Sequence, residues 1–550
     1  MKPDTHSKSG LDCLLAFAPK FKNFYKPIGE HMFTVILPMG LLSIADFVYK
    51  KGYHTQIVHL GLEKINNPRF SLKEYLKEVN PKVVGLSLHW HYQSYDTIEA
   101  AKEIKECNPG IFVVLGGLTA SYFHEEIARE FSCIDGVIRG DGEVPLLRLL
   151  EALSIQERDF SNVPNFTWRG PEGIKTNKIT YVAKQEDLDN SNFTNFDLLK
   201  NHKLYIKMQD MRGARWLTGV TNKILNKFRP AAYFPLLTHK GCPVNCSYCG
   251  GSKLSQKITC GRDDVAMRSI GKVVASIKEA QKYGYNEIYL SYLPLNNNNH
   301  YFEELFEAIK KAQTEMDYYL ECPDLPPKRL IEAFNAIRHN GSKLYIGLSP
   351  ETGSEEVRRF NKGFYYDNNE LIETLKSINS FKIQVILYFS LGLPAETARD
   401  IDITLHFKEF LRENFPNIIS ISTVNPVLEP ASLMHIYPEK YGIVKTRNTF
   451  KDFVLSSKDT NKEGFLTPRL GYFKQDFYPP GENGRLSRED SFRIYLQETI
   501  CGSSCRLSDF IISDFLKTDN IFLKKIISKS SKSICNIISA FRGLCNRCLI

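Results

Sequence analysis

Between residues 11 and 153, short apolar runs alternate with segments whose apolar residues recur every three or four positions, the period of a helix buried on one face. The runs 13–18, 55–60, 83–88, 111–115 and 136–139 read as strands, and 40–51, 71–78, 94–106, 125–130 and 143–153 as helices. Five such units predict an α/β domain with a parallel, doubly wound sheet, whose ligands bind beyond the carboxyl ends of the strands. A second alternating stretch has strands at 233–238, 287–290, 318–320, 343–347, 384–388 and 418–421, with helices at 269–283, 302–312, 327–340, 368–379 and 397–413. Repeats of this size predict a partial (β/α)6 barrel with its active site at the strand carboxyl ends. The stretch 161–230 carries strand-like pieces at 165–168 and 178–182 and an acidic turn at 185–189, and reads as a connector. Residues 426–490, rich in Pro, Tyr and Phe, are expected to wrap the barrel mouth and shape the substrate pocket. The division expected is 1–155, connector 156–230, barrel 231–425, a mostly helical extension 426–515, and a tail 516–550.

Composition narrows the class. With 550 residues, 43% hydrophobic and 24% charged, the chain is long enough for two to four domains and outside the disordered and collagen-like classes. Thirteen cysteines, unevenly spaced, suit metal chemistry in a reducing compartment better than a disulfide framework. Residues 1–10 lack the apolar core of a signal peptide, and 35–48 is broken by Pro38, Ser43 and Asp46, so a cytoplasmic location and no membrane span are expected. The net charge of +9 is local: the last 34 residues hold seven basic side chains against Asp519, leaving +3 elsewhere. With Leu523, Ile526, Ile527, Ile534, Ile537 and Ile538 spaced at three and four, this tail reads as a basic amphipathic helix that rests either on an anionic membrane surface or on the protein itself. Basic and aromatic clustering of a nucleic-acid site is missing.

At the carboxyl edge of the first sheet stand Ser87 and His89, then Gly116-Gly117, then Arg139-Gly140-Asp141-Gly142-Glu143. Glycines there let a backbone approach a large ligand, or simply turn the chain. No G-x-G-x-x-G follows the first strand, so a dinucleotide is not expected.

The sharpest chemical signal is Gly241-Cys242-Pro243-Val244-Asn245-Cys246-Ser247-Tyr248-Cys249-Gly250. Three thiolates this close suit an iron–sulfur cluster or zinc. A closed zinc site needs a fourth ligand, for which Cys260 is the nearby candidate, and three unconnected core cysteines are the plainest alternative. The C-x3-C-x2-C loop with an aromatic before its last cysteine resembles that of radical S-adenosylmethionine (SAM) enzymes. The resemblance implies a [4Fe–4S] cluster on Cys242, Cys246 and Cys249, with one iron left open for SAM, and an electron donor such as flavodoxin or ferredoxin. Ile346-Gly347-Leu348-Ser349-Pro350-Glu351, Asn361-Lys362-Gly363 and Gly392-Leu393-Pro394-Ala395-Glu396 are similar to later landmarks of the family. They imply SAM contacts from Tyr248, Ser349, Glu351 and Gly392. Where the family usually has acidic residues after the second barrel strand, this chain has Ser291-Tyr292-Leu293, and Ser291 is the substitute contact.

A flavodoxin-like (Rossmann-like) domain ahead of such a barrel resembles the cobalamin-binding class of the family, implying cobalamin contacts from Ser87, His89, Gly116, Gly117 and Gly140. The D-x-H-x-x-G motif is absent after the first strand, where Pro19-Lys20-Phe21-Lys22 stands, so His89 and His91 are the candidates to approach cobalt. The function implied is a cobalamin-dependent methyltransferase acting on a carbon, or similar unactivated centre, of a small-molecule or peptide substrate. Cyclisation or rearrangement with the same cofactors is the alternative, and a zinc-binding interaction protein is the alternative from another class. Cys501, Cys505, Cys535, Cys545 and Cys548 have no assigned role, and Cys548 is misplaced for prenylation.

Overall fold

The computed structural model describes residues 10–18, 37–155, 159–209, 232–292, 300–339, 341–424, 426–445 and 447–463. The segment 19–22, the tail 516–550, residues 464–515 and the five C-terminal cysteines lie outside the described residues.

The first sheet contains β1 (Cys13–Phe17), β2 (Thr55–His59), β3 (Val83–Ser87), β4 (Phe112–Gly116), β5 (Gly136–Ile138), β6 (Phe166–Gly170) and β7 (Gly173–Thr176). Its order is 2-1-3-4-5-6-7, with β1 to β5 parallel. The order 2-1-3-4-5 is that of a flavodoxin-like sheet. The strands are apolar on both faces, as a sheet covered by helices on each side requires: Leu14, Ala16, Val84, Leu86 and Val113 pack on one side, and Cys13, Leu15, Phe17, Val83 and Val114 on the other.

Two expectations for the connector fail. The antiparallel hairpin β6–β7 extends the first sheet by pairing β6 with β5, so the sheet continues beyond residue 155. Residues 178–182 form no strand, and the acidic turn is a helix, Gln185–Asn190. Asn165, fully buried, explains the non-strand path: it holds Thr180 and Tyr181 through their backbone N–H groups and donates to the Arg139 and Tyr181 carbonyls. Side-chain hydrogen bonds here replace the ladder.

The second sheet is built from β8 (Tyr233–Leu236), a two-strand bridge of β9 (His239–Lys240) with β10 (Ala266–Met267) beside it, and β11 (Glu287–Ser291), β12 (Asp317–Cys322), β13 (Leu344–Glu351), β14 (Gln384–Ser390) and β15 (Ile418–Val424). The six long strands run in the order 15-14-13-12-11-8, all parallel. Ile288, Leu290, Tyr318, Leu320, Ile346, Leu348, Val385 and Leu387 are buried in one cluster with helices Ile270–Lys282, His300–Ala312, Lys328–Asn335 and Asn368–Ser380. The alternate positions put Tyr289, Tyr319, Glu321, Ser349, Tyr388 and Ser390 on the opposite, lumen face.

The described part of the extension begins at the cysteine loop. Leu428, Leu433, Met434, Tyr441 and Ile443 pack against Tyr248 and Leu254 at the cysteine loop. Helix Phe450–Glu463 then returns to the first domain, burying Phe450 and Phe453 completely in that domain's core.

Candidate active site

The cysteine loop follows β9 at the carboxyl side of the barrel. Its backbone is held from three directions. Ser247 donates through N to the Asn361 carbonyl at 2.7 Å and through Oγ to Asn361 Oδ1 at 2.6 Å. Gly250 N donates to the Glu429 carboxylate at 3.0 Å, and Met434 N to the Ser247 carbonyl at 3.0 Å. Gly363 passes so close that a Cβ there would lie 2.4 Å from Asn245 N, which is why a glycine follows Asn361-Lys362.

The donor set fits a cluster. Gly363 N and Gly251 N each point at a sulfur, Cys246 Sγ and Cys249 Sγ, at 3.4 Å, the kind of N–H contact that stabilises charge on cluster thiolates. Burial, with the Glu429 carboxylate adding to it, pushes the Cys249 thiol up to about 12, and burial also raises Cys242. Thiolates in this setting need a cation beside them, which bound iron supplies. Among the described residues no three His, Cys, Asp or Glu side chains converge on a single-ion site, and Cys260, the candidate fourth zinc ligand, is buried away beneath Gly140.

Glu351 ends β13 in left-handed backbone at φ 65°, a strained conformation for a residue with a Cβ. Its carboxylate accepts from Tyr248 Oη at 2.8 Å and Ser390 Oγ at 2.5 Å and lies 3.6 Å from the buried Lys362 ammonium. The structure thus ties the aromatic of the cysteine loop to the end of β13. Ser349 Oγ reaches a second carboxyl, Glu321, at 3.5 Å. Sequence reasoning missed Glu321. It is the register partner of Ser291 on the adjacent strand, accepts from Tyr319 Oη at 2.5 Å, and through that phenol, 3.0 Å from Tyr388 Oη, joins a relay across the lumen. Gly347, on the strand between, leaves room for it: a Cβ there would lie 2.0 Å from Tyr319 Oη. Burial raises the Glu321 pKa, Tyr319 and Ser349 oppose the rise, and the neighbouring Glu351 charge adds to it. A carboxylate directly after a strand-like run at a barrel's carboxyl edge was the available signal.

Gly392, at φ 87°, faces open space, with nothing within 4 Å of where a Cβ would stand. Its N–H donates to buried Glu396, whose other oxygen has no hydrogen-bond partner. Burial pushes Glu396 up to about 7 against the backbone bonds from Gly392 and Leu393.

In the first domain, Ser87 and Gly116 end paired strands, side by side. Gly117 and Gly140 are positions where packing alone demands a glycine. A Cβ on Gly117 would sit 2.7 Å from the Leu88 carbonyl, and one on Gly140 would lie 3.1 Å from the Cys260 carbonyl, so protein fills that space. His91 is buried against Tyr92 and Phe453 and turns away from the edge. His89 packs edge-on against Trp90 at 4.6 Å, and burial lowers its pKa to about 4, leaving the imidazole neutral.

Asp141 and Glu143 serve the junction between the sheets. Lys240, two residues before Cys242, pairs with Asp141 at 3.0 Å and Glu143 at 3.1 Å, and Arg262 pairs with Asp141 at 2.6 Å. Burial works against the Lys240 ammonium, but the two carboxylates outweigh it and hold its pKa above the usual lysine value. Tyr122, after β4, meets His435 at 3.4 Å. The carboxyl edge of the first sheet therefore faces the cysteine loop.

Comparison with known proteins fits this geometry. The profile of the Radical SAM superfamily matches residues 236–407, and that of the B12 binding domain matches residues 25–150. The chain is a radical SAM protein with a B12 binding domain. Relatives of this radical SAM protein include an uncharacterized methyltransferase of Pyrococcus horikoshii, 23% identical over 387 residues, 68% of this chain and 73% of that one. The hopanoid C-3 methylase of Methylococcus capsulatus is 24% identical over 406 residues, 72% and 68%. The anaerobic magnesium-protoporphyrin IX monomethyl ester cyclase of Rubrivivax gelatinosus is 26% identical over 250 residues, 44% and 38%. The fold is also that of the radical SAM methyltransferase TsrM of Kitasatospora setae, solved with cobalamin and a [4Fe–4S] cluster, at a TM-score of 0.57 and 17% identity over 79% of this chain and 76% of that one. No helix among the described residues is long and apolar enough to cross a membrane.

Proposed function

We propose that this radical SAM protein is a cobalamin-dependent methyltransferase acting on a carbon, or similar unactivated centre, of a small-molecule or peptide substrate. The observation that carries the reading is the ion-paired junction, which sets the carboxyl edge of a B12-type sheet against the three-cysteine loop of a barrel. Two cofactors held face to face across one space are what methyl transfer between them requires.

In this reading Cys242, Cys246 and Cys249 hold a [4Fe–4S] cluster. Tyr248, Ser291, Ser349, Glu351 and Gly392 receive SAM, and Ser87, His89, Gly116, Gly117 and Gly140 meet cobalamin. Bound there, the cluster and SAM supply a reactive radical and cobalamin carries the methyl group. The chain's residues position and shield. Glu351, fixed by Tyr248, Ser390 and Lys362, offers its carboxyl group to a cationic ligand. Glu321, with its raised pKa and phenolic relay, is the group suited to take up a substrate proton. Electrons come from a donor such as flavodoxin or ferredoxin. The location proposed is cytoplasmic, and the basic tail rests either on an anionic membrane surface or on the protein itself.

The test is anaerobic reconstitution followed by iron, sulfide and cobalamin analysis and assay of SAM products. We expect bound cobalamin, iron and sulfide in cluster proportion, and both 5′-deoxyadenosine and S-adenosylhomocysteine. A folded protein holding zinc alone, without SAM cleavage, overturns the reading. The similarity to the cyclase keeps ring closure as the second reading, which 5′-deoxyadenosine without S-adenosylhomocysteine would favour.

A further inference from the structure

One acid at the cysteine loop has no counter-charge among the described residues. Glu429 lies in the segment after β15, and its carboxylate accepts from Gly250 N, one residue beyond Cys249, at 3.0 Å. The approach is built from both sides. A Cβ on Gly250 would lie 2.7 Å from the Pro430 carbonyl and 2.9 Å from Glu429 Oε2, so only a glycine lets the acid sit there. On the other side, Ala431 is held in left-handed backbone at φ 63°, with Ser255 Oγ donating to its carbonyl at 2.6 Å, while Ser432 Oγ donates to the Glu429 carbonyl at 2.7 Å. A strained residue kept in place by such bonds marks a main chain whose course is over-determined.

The charge so placed is not cancelled nearby. Glu429 makes no ion pair among the described residues, and Gly250 N is the donor its carboxylate has. Two cations that flank the loop are engaged elsewhere, Lys240 by Asp141 and Glu143 and Lys362 by Glu351. The amides of Gly251 and Gly363 point instead at the sulfurs of Cys249 and Cys246. N–H dipoles at the sulfurs make an added electron easier to hold and a fixed negative charge makes it harder, and cluster potentials follow that balance.

We propose that Glu429 lowers the reduction potential of the cluster held by Cys242, Cys246 and Cys249, acting through its charge and without touching the metal. The assignment rests on the [4Fe–4S] reading above and deepens it. A lower potential makes the reduced cluster the stronger one-electron donor, and a carboxylate fixed by a rigid main chain exerts its field with no reorganisation when the electron arrives.

The full-length protein, reconstituted with iron and sulfide, tests this by anaerobic redox titration in alkaline buffer, with the reduced cluster followed by electron paramagnetic resonance. Glu429→Gln keeps an oxygen for Gly250 N and drops the charge, whereas Glu429→Asp keeps the charge. Glu429→Gln should raise the midpoint, so that at a fixed poise the ratio of reduced to oxidised cluster grows roughly tenfold, about 59 mV for a one-electron couple, with iron and sulfide content as in the wild type. Glu429→Asp should stay within about twofold of the wild-type ratio. An unmoved midpoint in Glu429→Gln, or equal shifts in both variants, overturns the assignment. Loss of the cluster from Glu429→Gln overturns it too, because the acid would then hold the loop instead of setting the potential. A wild type without a [4Fe–4S] signal on reduction overturns the cluster reading itself.

Discussion

Asp141→Asn addresses the hinge of the functional argument, the ion network that sets the cysteine loop against the first sheet. Asp141 serves two cations of low exposure, Arg262 at 6% and Lys240 at 21%. Losing its charge leaves Arg262 with the Ala183 carbonyl alone, whereas Lys240 keeps Glu143. Deleting one partner of a buried pair costs about 3–5 kcal/mol. The surviving Glu143 contact and the amide oxygen of asparagine reduce this, so we expect about 2–3 kcal/mol, concentrated at the junction. At about 1.4 kcal/mol per decade, local opening of residues 239–250 should become roughly 30- to 140-fold more frequent. Amide hydrogen exchange of that peptide in reconstituted protein measures it. Adding Arg262→Met should recover part of the protection, because the stranded guanidinium goes with it. Exchange in Asp141→Asn within about threefold of wild type, roughly 0.6 kcal/mol, would refute the view that the network holds the loop.

Gly363→Ala brings a Cβ against Asn245 N and Val244, at a cost of about 1–3 kcal/mol, and should lower iron content after reconstitution while cobalamin content stays unchanged; full iron loading would contradict it. Phe453→Ala empties a fully buried site between Phe123 and His91 and should cost about 3–5 kcal/mol, read as a lowered thermal midpoint; an unchanged midpoint would show that the return helix is not part of the core. Glu396 binds its proton more tightly folded, at about 7, than unfolded, near 4.5, so its contribution is complete below about pH 4.5 and is lost as pH rises through 7. The size is about 3 kcal/mol, and Glu396→Gln should flatten the fall in thermal midpoint across that window; an identical pH dependence in both proteins would count against it.

Much of this was legible in the sequence because it is written locally. Strand and helix periods reveal themselves within a dozen residues, and the cysteine loop carries its chemistry in eight. What stayed hidden depends on distant partners. The strand-like run at 165–168 is β6, but nothing in its own pattern says that it joins the first sheet by pairing with β5, and its hairpin partner β7, polar and exposed, was not read as a strand. Asp141 reads as one acid in a glycine-rich turn, and only folding brings Lys240 and Arg262 to it. Gly117 and Gly140 were placed at the right edge, but the Leu88 and Cys260 main chains that leave no space for a side chain there are distant in sequence and come together only on folding. Glu321 escaped because the strand was expected to stop at Leu320, before the carboxylate that gives its lumen face a proton acceptor.

The return of helix Phe450–Glu463 has a consequence for synthesis. Phe450 and Phe453 complete an interior whose other members lie before residue 140, so the first domain waits for roughly 300 further residues before its core can close. At ribosomal rates of about 5–20 residues per second that is roughly 15–60 seconds. During this time Phe123 and Phe131 lack their final cover, and the nascent chain must pass the interval with an apolar seam open to chaperones or to a bound cofactor.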